Sequence, residues 1–356
     1  MYYLNNNLKN LVRVFDQNDR TNYLRLDLNE NPGGLPEDLL KAVLSKLTPN
    51  LISQYPETNH FKRFLSNYLN TDEEHLCLSN GSSEAIRYVI QAFTSENGKI
   101  VGVTPSYFMF QVYSEMYGRK YVPVAYNEDL SMDVDKIISE LTCDTQLLIL
   151  LNPNNPMGNV YTESEFCRIL SVCKKNKITL LIDEAYFYFY PHSFIDYALN
   201  ERRVLVTRTF SKLFSMAGCR LGYVVGHPDD IKFVQKLCTP HNTNVLAMML
   251  AEEVLKNPKI IDLLIEKYRE GRAYLLAELD KNGYQYKGEA GNFLFIKSKT
   301  APQVIVERMK KEKKILIKMY KNVGCFGNCL RVTIGEKKYM EHFIGSLVEL
   351  DNQIIC

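Results

Sequence analysis

Residues 179–226 read TLLIDEAYFYFYPHSFIDYALNERRVLVTRTFSKLFSMAGCRLGYVVG. Three short apolar runs punctuate this stretch: Thr179–Ile182, Val204–Thr207 and Tyr223–Val225. Runs of that length, rich in Leu, Ile and Val and bounded by turn-forming residues, read as buried strands. Similar runs precede them at Ile100–Val103 and Leu147–Leu151. Helical periodicity fills the gaps. Pro36 opens a helix with Leu39, Leu40, Val43, Leu44 and Leu47 on one face, and Ala85, Ile86, Val89, Ile90 and Phe93 form the stripe of a helix starting near Ser83. Thr162 and Glu165 form a capping box ahead of Phe166, Ile169, Leu170 and Cys173. Strands alternating with helices predict an α/β fold with a mostly parallel sheet covered on both faces.

Beyond Val245 the pattern changes. A long helical stretch is interrupted at Pro258 and resumes through Ile260, Ile261, Leu264, Ile265 and Tyr268. Shorter strand-like runs follow at Phe293–Ile296, Ile315–Ile317 and Leu330–Ile334. The expected organisation is a large domain over 31–245 and a small α+β domain over 246–356, joined by an N-terminal segment, 1–30.

Composition narrows the function classes. The chain has 356 residues, 46% apolar and 24% charged, with a formal net charge of +2. No global field draws it to nucleic acid or anionic lipid. No apolar run approaches the length of a bilayer span, and the polar start, Met1 to Lys9, has no signal-peptide pattern. Nine scattered cysteines without a CxxC suit reduced thiols in the cytoplasm. The six histidines lack metal-ligand spacing, so no metal site is expected. Walker, GxGxxG, HExxH and GxSxG patterns are absent.

The polar residues after the strands carry the chemistry. Lys212, in Thr209-Phe-Ser211-Lys212, closely follows a buried strand, where partial desolvation favours a free, nucleophilic amine able to form a Schiff base with a carbonyl cofactor. Arg220 lies between Gly218 and Gly222, which allow close backbone approach, and its guanidinium suits a phosphate. Asp183, at the carboxyl end of its strand, can pair with a protonated pyridine nitrogen, and Tyr186 can donate to a phenolic oxygen. Asn155, in the turn Asn152–Gly158, can bond the same oxygen. Gly81, Ser82 and Ser83 open a helix whose N–H groups make a phosphate cradle. Tyr107 can stack on an aromatic ring. Singly, each admits a plainer reading: a solvated lysine, a capping aspartate, an ordinary turn, a serine N-cap, a packing tyrosine. Jointly they supply every contact that pyridoxal 5′-phosphate needs.

The chain resembles fold-type-I pyridoxal-phosphate aminotransferases, most of all the histidinol-phosphate aminotransferase family. The resemblance rests on Leu28-Asn-Glu-Asn-Pro-Gly33, Gln54-Tyr-Pro56, Asn80–Glu84, Pro105-Ser-Tyr107, Asn152–Gly158, Asp183–Tyr186, Thr209–Lys212, Gly218–Gly222 and Leu330–Gly335, and so covers nearly the whole chain. It implies a large domain with a seven-stranded, mostly parallel sheet and a small domain built from both chain ends. It implies Lys212 as the cofactor's Schiff-base lysine and general base, Asp183 as partner of the pyridine nitrogen, and Asn155 and Tyr186 as contacts of the ring oxygen. Tyr107 would stack on the ring, and Gly81, Ser82, Thr209, Ser211 and Arg220 would hold the phosphate. Tyr55 would reach the cofactor phosphate of the neighbouring subunit, which implies a homodimer. Arg331 would pair with the substrate carboxylate, with Asn29 beside it.

The implied reaction moves an amino group between glutamate or 2-oxoglutarate and a small, phosphorylated amine such as histidinol phosphate. Lys318 and Lys321 stand where the typical member shows an arginine, and a lysine is a poorer bidentate partner for a phosphate. Arg13 and Phe15 stand near the place of the usual N-terminal tyrosine. The basic run Lys310, Lys311, Lys313 and Lys314 reads as a solvated face. Two alternatives stay open: a pyridoxal-phosphate decarboxylase of an O-phospho amino acid, using the same residues, and a non-catalytic regulatory relative, which the presence of Lys212 and Asp183 disfavours.

Overall fold

A computed structural model describes residues 2, 4–9, 11–12 and 19–355; Arg13 and Phe15 lie outside the described residues. The strands are β1 (Leu24–Arg25), β2 (Leu76–Ser79), β3 (Lys99–Thr104), β4 (Lys120–Ala125), β5 (Thr145–Leu151), β6 (Thr179–Asp183) and β7 (Val204–Thr209). They continue as β8 (Gly222–Gly226), β9 (Gln285–Lys287), β10 (Phe293–Lys297), β11 (Ile315–Leu316), β12 (Lys318–Val323) and β13 (Gly327–Thr333). Seven of them form one sheet in the order β2-β8-β7-β6-β5-β3-β4, parallel except for β8, which runs antiparallel to both neighbours. A second, antiparallel sheet has the order β12-β13-β10-β9, and β1 pairs in parallel with β11.

Helices cover the large sheet because their apolar stripes match it. The helix Ser82–Phe93 buries Ala85, Ile86, Val89, Ile90 and Phe93 in one core with Leu147 and Ile149. Truncating Ile86 to Ala would cost about 2–5 kcal/mol, the usual range for emptying a packed site. On the other face Phe166, Ile169, Leu170 and Cys173 meet Leu148, Leu180 and Val206, and the Thr162–Glu165 capping box forms as expected. The helix Glu37–Leu44 departs from expectation: Leu39 and Val43 are buried, whereas Leu40 and Leu44 are exposed. Its apolar face is wider than the core it covers in this chain.

Another core joins Leu39, Val43, Phe61 and Leu65 to Ala247, Met248, Leu250 and Val254 of the helix Val245–Leu255. The helix Pro258–Lys281 then runs from that core, where Ile261 and Leu264 pack, to a further one, where Leu275 and Leu279 pack with Leu26, Leu294 and Phe343. The expected limit at Val245 therefore falls at the start of a helix held by the first core. Leu26 packs with Leu294 and Leu330 of the small sheet, and β1 pairs with β11 beside it. Among the described residues, no helix is long and apolar enough to cross a membrane.

Candidate active site

Chain order reverses around β3, which pairs with β4 on one side and β5 on the other. A crevice opens at the carboxyl ends of an α/β sheet at such a point, and the polar residues that follow these strands converge there. Asp183 is the last residue of β6 and Thr209 the last of β7; Asn155 lies in the turn after β5, and Tyr107 follows β3. They line one cavity of about 550 Å³, together with Asn29, Ser82, Ser83, Tyr186, Ser211, Lys212, Arg220, Lys318 and Arg331.

At the anionic end, Gly81 caps the helix Ser82–Phe93 with φ +80° and ψ 164°, and no side chain occupies the cap. A Cβ on Gly81 would lie 2.6 Å from Nη2 of Arg220. The guanidinium donates to Ser211 Oγ (3.3 Å), Ala217 O (3.2 Å) and Asn80 O (3.4 Å). Thr209 Oγ1 donates to Ser211 Oγ (3.0 Å) and accepts from the Ser211 amide (3.1 Å). An uncapped helix start beside an arginine and two hydroxyls is a phosphate-sized cradle. Of the two glycines around Arg220, only Gly222 meets a close approach: its Cβ would sit 2.7 Å from Gly81 C and Ser82 N, while Gly218 faces open space. Gly222 lets β8 press against the cradle from behind. Ser83 points instead to Tyr107, with its Oγ 3.0 Å from the phenolic oxygen.

Deeper in the cavity Asp183 is almost fully buried, accepting from Thr207 Oγ1 (3.0 Å) and from the Ala185 amide. Burial is the main cause that pushes its carboxyl up to about 7, against smaller opposing effects of these hydrogen bonds and of Lys212. A desolvated carboxylate so placed fits a cationic partner such as a protonated ring nitrogen. Tyr186 OH accepts from Asn29 Nδ2 at 2.8 Å and remains able to donate. Asn155 Oδ1 accepts from Arg331 Nη1 (2.9 Å), leaving its amide N–H groups for an oxygen in the cavity. Burial raises the Tyr186 hydroxyl's pKa above the ordinary phenol range and pushes Tyr107 up to about 12.

Lys212 Nζ donates to the Leu28 carbonyl at 3.1 Å and lies 5.7 Å from the centre of the Tyr186 ring. Burial, then the Arg331 charge, lower its pKa to about 8, while Glu30 and Asp183 oppose the shift and Arg220 adds to it. Arg331 is buried; it donates to the Asp27 carbonyl and to Tyr320 OH (3.4 Å), and its Nε has no partner. A buried guanidinium with an unused N–H fits an incoming carboxylate.

Lys318 lies across from Arg331 in the β12–β13 register and lines the cavity. Lys321 does not line it, because strand alternation sends Lys318 and Tyr320 to one face and Lys321 away. The basic run 310–314 does not line it either. Tyr55 is exposed, stacks on His241 at 4.6 Å and takes no part in its own chain's cavity. Three contributors were not anticipated: Tyr320, Glu30 and the backbone carbonyls of 27–28. Tyr320 shares period-2 alternation with Lys318, a signal available in KMYKNV. The carbonyls carry no signal, since every residue has one.

Comparison with known proteins agrees with this geometry. The model of the aminotransferase class I and II family matches residues 21–347. A histidinol-phosphate aminotransferase of Thermoanaerobacter sp. (strain X514) is 31% identical over 334 residues, covering 92% of each chain. The crystal structure of the histidinol-phosphate aminotransferase from Clostridium acetobutylicum superposes with a TM-score of 0.82 at 26% identity, over 93% of this chain and 99% of that one. A second, from Sinorhizobium meliloti in complex with pyridoxal 5′-phosphate, gives a TM-score of 0.84 at 20% identity over 93% and 91%. The chain belongs to the class I and II aminotransferase family, the pyridoxal-phosphate-dependent transaminases, within its histidinol-phosphate aminotransferase branch.

Proposed function

We propose that this aminotransferase moves an amino group between glutamate or 2-oxoglutarate and a small phosphorylated amine, with histidinol phosphate the first candidate, and that it works as a cytoplasmic homodimer. Pyridoxal phosphate, when bound, supplies the electron sink that makes the substrate's α-proton acidic. Gly81, Ser82, Thr209, Ser211 and Arg220 would hold its phosphate, and Ser83, bonded to Tyr107, would steady that tyrosine for stacking. Asp183 would keep a proton at the pyridine nitrogen, and Tyr186 with Asn155 would hold the phenolic oxygen. Lys212 would hold the cofactor through its amine and would serve as the base for the substrate's α-proton; burial and the Arg331 charge lower its pKa to about 8. Arg331 binds the substrate carboxylate and Asn29 steadies Tyr186 beside it.

One observation carries the phosphorylated substrate: Lys318 faces Arg331 across β12 and β13 at the cavity wall, a second cation beside the carboxylate site. Tyr55, exposed in the single chain, is taken to complete the phosphate site of a second copy. The small domain is taken to include residues 1–30, supported by the β1–β11 pairing, with the handover between domains along the helix Pro258–Lys281. The test compares histidinol phosphate with histidinol, each with 2-oxoglutarate. A charge-assisted contact of about 1.5–3 kcal/mol predicts roughly 10- to 100-fold higher kcat/KM for the phosphorylated amine, and Lys318→Ala should erase most of that gap. Equal rates would overturn the phosphate reading. Carbon dioxide release from an O-phospho amino acid would replace transamination by decarboxylation.

A further inference from the structure

Residues 27–29 touch three functional groups in succession. The Asp27 carbonyl accepts from Arg331, the Leu28 carbonyl accepts from Lys212 Nζ (3.1 Å), and the Asn29 side chain donates to Tyr186 OH (2.8 Å). This short segment therefore sets where the carboxylate-binding cation, the amine and the phenol stand. Its backbone is not relaxed by default: Asn29 has φ +58°, a left-handed conformation that costs a non-glycine residue free energy. Something must hold it. Asn29 N donates to Thr333 Oγ1 at 3.0 Å on one side. On the other side a single nitrogen, Arg20 Nη2, donates to Asp27 Oδ1 (2.6 Å) and Glu30 Oε2 (3.2 Å), tying the two ends of the segment together. Arg25 Nη1 lies farther from Glu30, at 3.7 Å, and Arg25 Nε holds the Arg20 carbonyl at 3.0 Å. Arg20 is itself mostly buried, and its Nε has no partner.

We infer that Arg20 is a positioning residue for this reaction: by bridging Asp27 and Glu30 it fixes the carbonyls that seat Arg331 and Lys212, and it neutralises Glu30 beside the Lys212 amine. The inference rests on the roles proposed above for Lys212 and Arg331. Arg20 does not line the cavity, whereas Glu30 does. Besides the Leu28 carbonyl, the Lys212 nitrogen feels Arg331 and Arg220 as cations, Glu30 and Asp183 as carboxylates, and the Tyr186 ring. Without Arg20, Glu30 faces this nitrogen with less compensation, and a proton there is held more tightly. The Asp27 carbonyl also becomes free to shift, and small misplacements at a reacting centre can cost up to about 100-fold in rate.

The test uses holoenzyme of Arg20→Met, Arg20→Lys and Glu30→Gln. Two readouts are taken: KM for glutamate against kcat, and the pH midpoint of the visible band of the bound cofactor, which reports the proton on the Lys212 nitrogen. Arg20→Met should raise the KM for glutamate about tenfold with a smaller change in kcat, on the scale of a displaced but present Arg331. It should also move the midpoint to higher pH. Glu30→Gln, which removes a charge but little volume, should move the midpoint to lower pH. Arg20→Lys should restore both readouts most of the way, because one nitrogen makes both contacts and an ammonium can replace it. An unchanged midpoint in both Arg20→Met and Glu30→Gln would overturn the inference. So would a loss in Arg20→Met that Arg20→Lys does not repair and that tracks only the melting temperature. If Arg20→Met does not fold, Glu30→Gln and Arg20→Lys decide the matter alone. A visible band that survives Lys212→Ala would refute the underlying role of Lys212, a failure separate from that of Arg20.

Discussion

Replacing Gly81 by alanine probes the phosphate cradle at its narrowest point. Two costs follow from the structure. The backbone at φ +80° and ψ 164° lies in a region that essentially only glycine occupies, and an L-residue held there costs about 1–3 kcal/mol. The new Cβ would also stand 2.6 Å from Nη2 and 3.2 Å from Cζ of Arg220, too close for either to remain in place. The guanidinium is the far end of a side chain and can withdraw, but it would then leave Ser211, Ala217 and Asn80 and its place beside the cradle. Losing one charge-assisted bond to a phosphate is worth about 1.5–3 kcal/mol. At about 1.4 kcal/mol per decade, Gly81→Ala should weaken cofactor binding roughly 10- to 100-fold. The assay is a titration of apoenzyme with pyridoxal phosphate, followed by the visible band, with the melting temperature of the apoenzyme recorded in parallel. Gly218→Ala is the control: Gly218 faces open space and does not need a positive φ, so its cofactor affinity should stay within about twofold, well under one decade of binding. Near-normal affinity in Gly81→Ala, with or without a lower melting temperature, would refute the cradle.

The remaining predictions concern charge and proton placement. Lys212→Ala should fold normally, lose the visible band and lose at least about a thousandfold in rate, within the range for removing a catalytic base; near-wild-type turnover would dismiss Lys212 from its role. Asp183 has a folded-state pKa raised to about 7 from the ordinary 3.8, so its protonated form stabilises apoenzyme fully below about pH 4, and that stability is lost as pH rises through 7. Melting temperatures of apoenzyme should accordingly fall across that window more in wild type than in Asp183→Asn; identical slopes would show that this carboxyl is not the source. Arg331→Ala should raise the KM of carboxylate substrates by at least about tenfold, on the scale of one charge-assisted bond, while changing cofactor affinity much less. Equal losses of substrate and cofactor would contradict its assignment, and isothermal titration with each ligand separates the two.

Most of the large sheet could be read directly because its central strands are buried on both faces. Leu147–Leu151 and Val204–Val206 are unbroken apolar runs for that reason. The edge strands β2 and β4 were not identified, and β4 shows why: it carries Pro123 and only Val124 of its six residues is buried, as befits an edge. β12 escaped similarly, as KMYKNV is mostly polar along its length. The site was legible wherever a side chain carries distinctive chemistry after a strand, as at Asp183, Asn155, Lys212 and Arg220. What stayed hidden depends on chain reversal and backbone. The Leu28 carbonyl near Lys212 joins residues 184 apart in sequence, and the Arg331–Asp27 contact joins residues 304 apart. No local pattern encodes such meetings. The exposed Leu40 and Leu44 mark the opposite failure, where periodicity is correct but the core covers only part of the apolar face.

The residues around Lys212 are proposed to perform amino transfer on a bound pyridoxal phosphate. An absorbance titration of the holoenzyme with L-glutamate tests it most directly. A visible band should bleach as glutamate is added and return with 2-oxoglutarate, in wild type but not in Lys212→Ala. The absence of any band after cofactor is supplied, or a band that glutamate and 2-oxoglutarate leave unchanged, would contradict it.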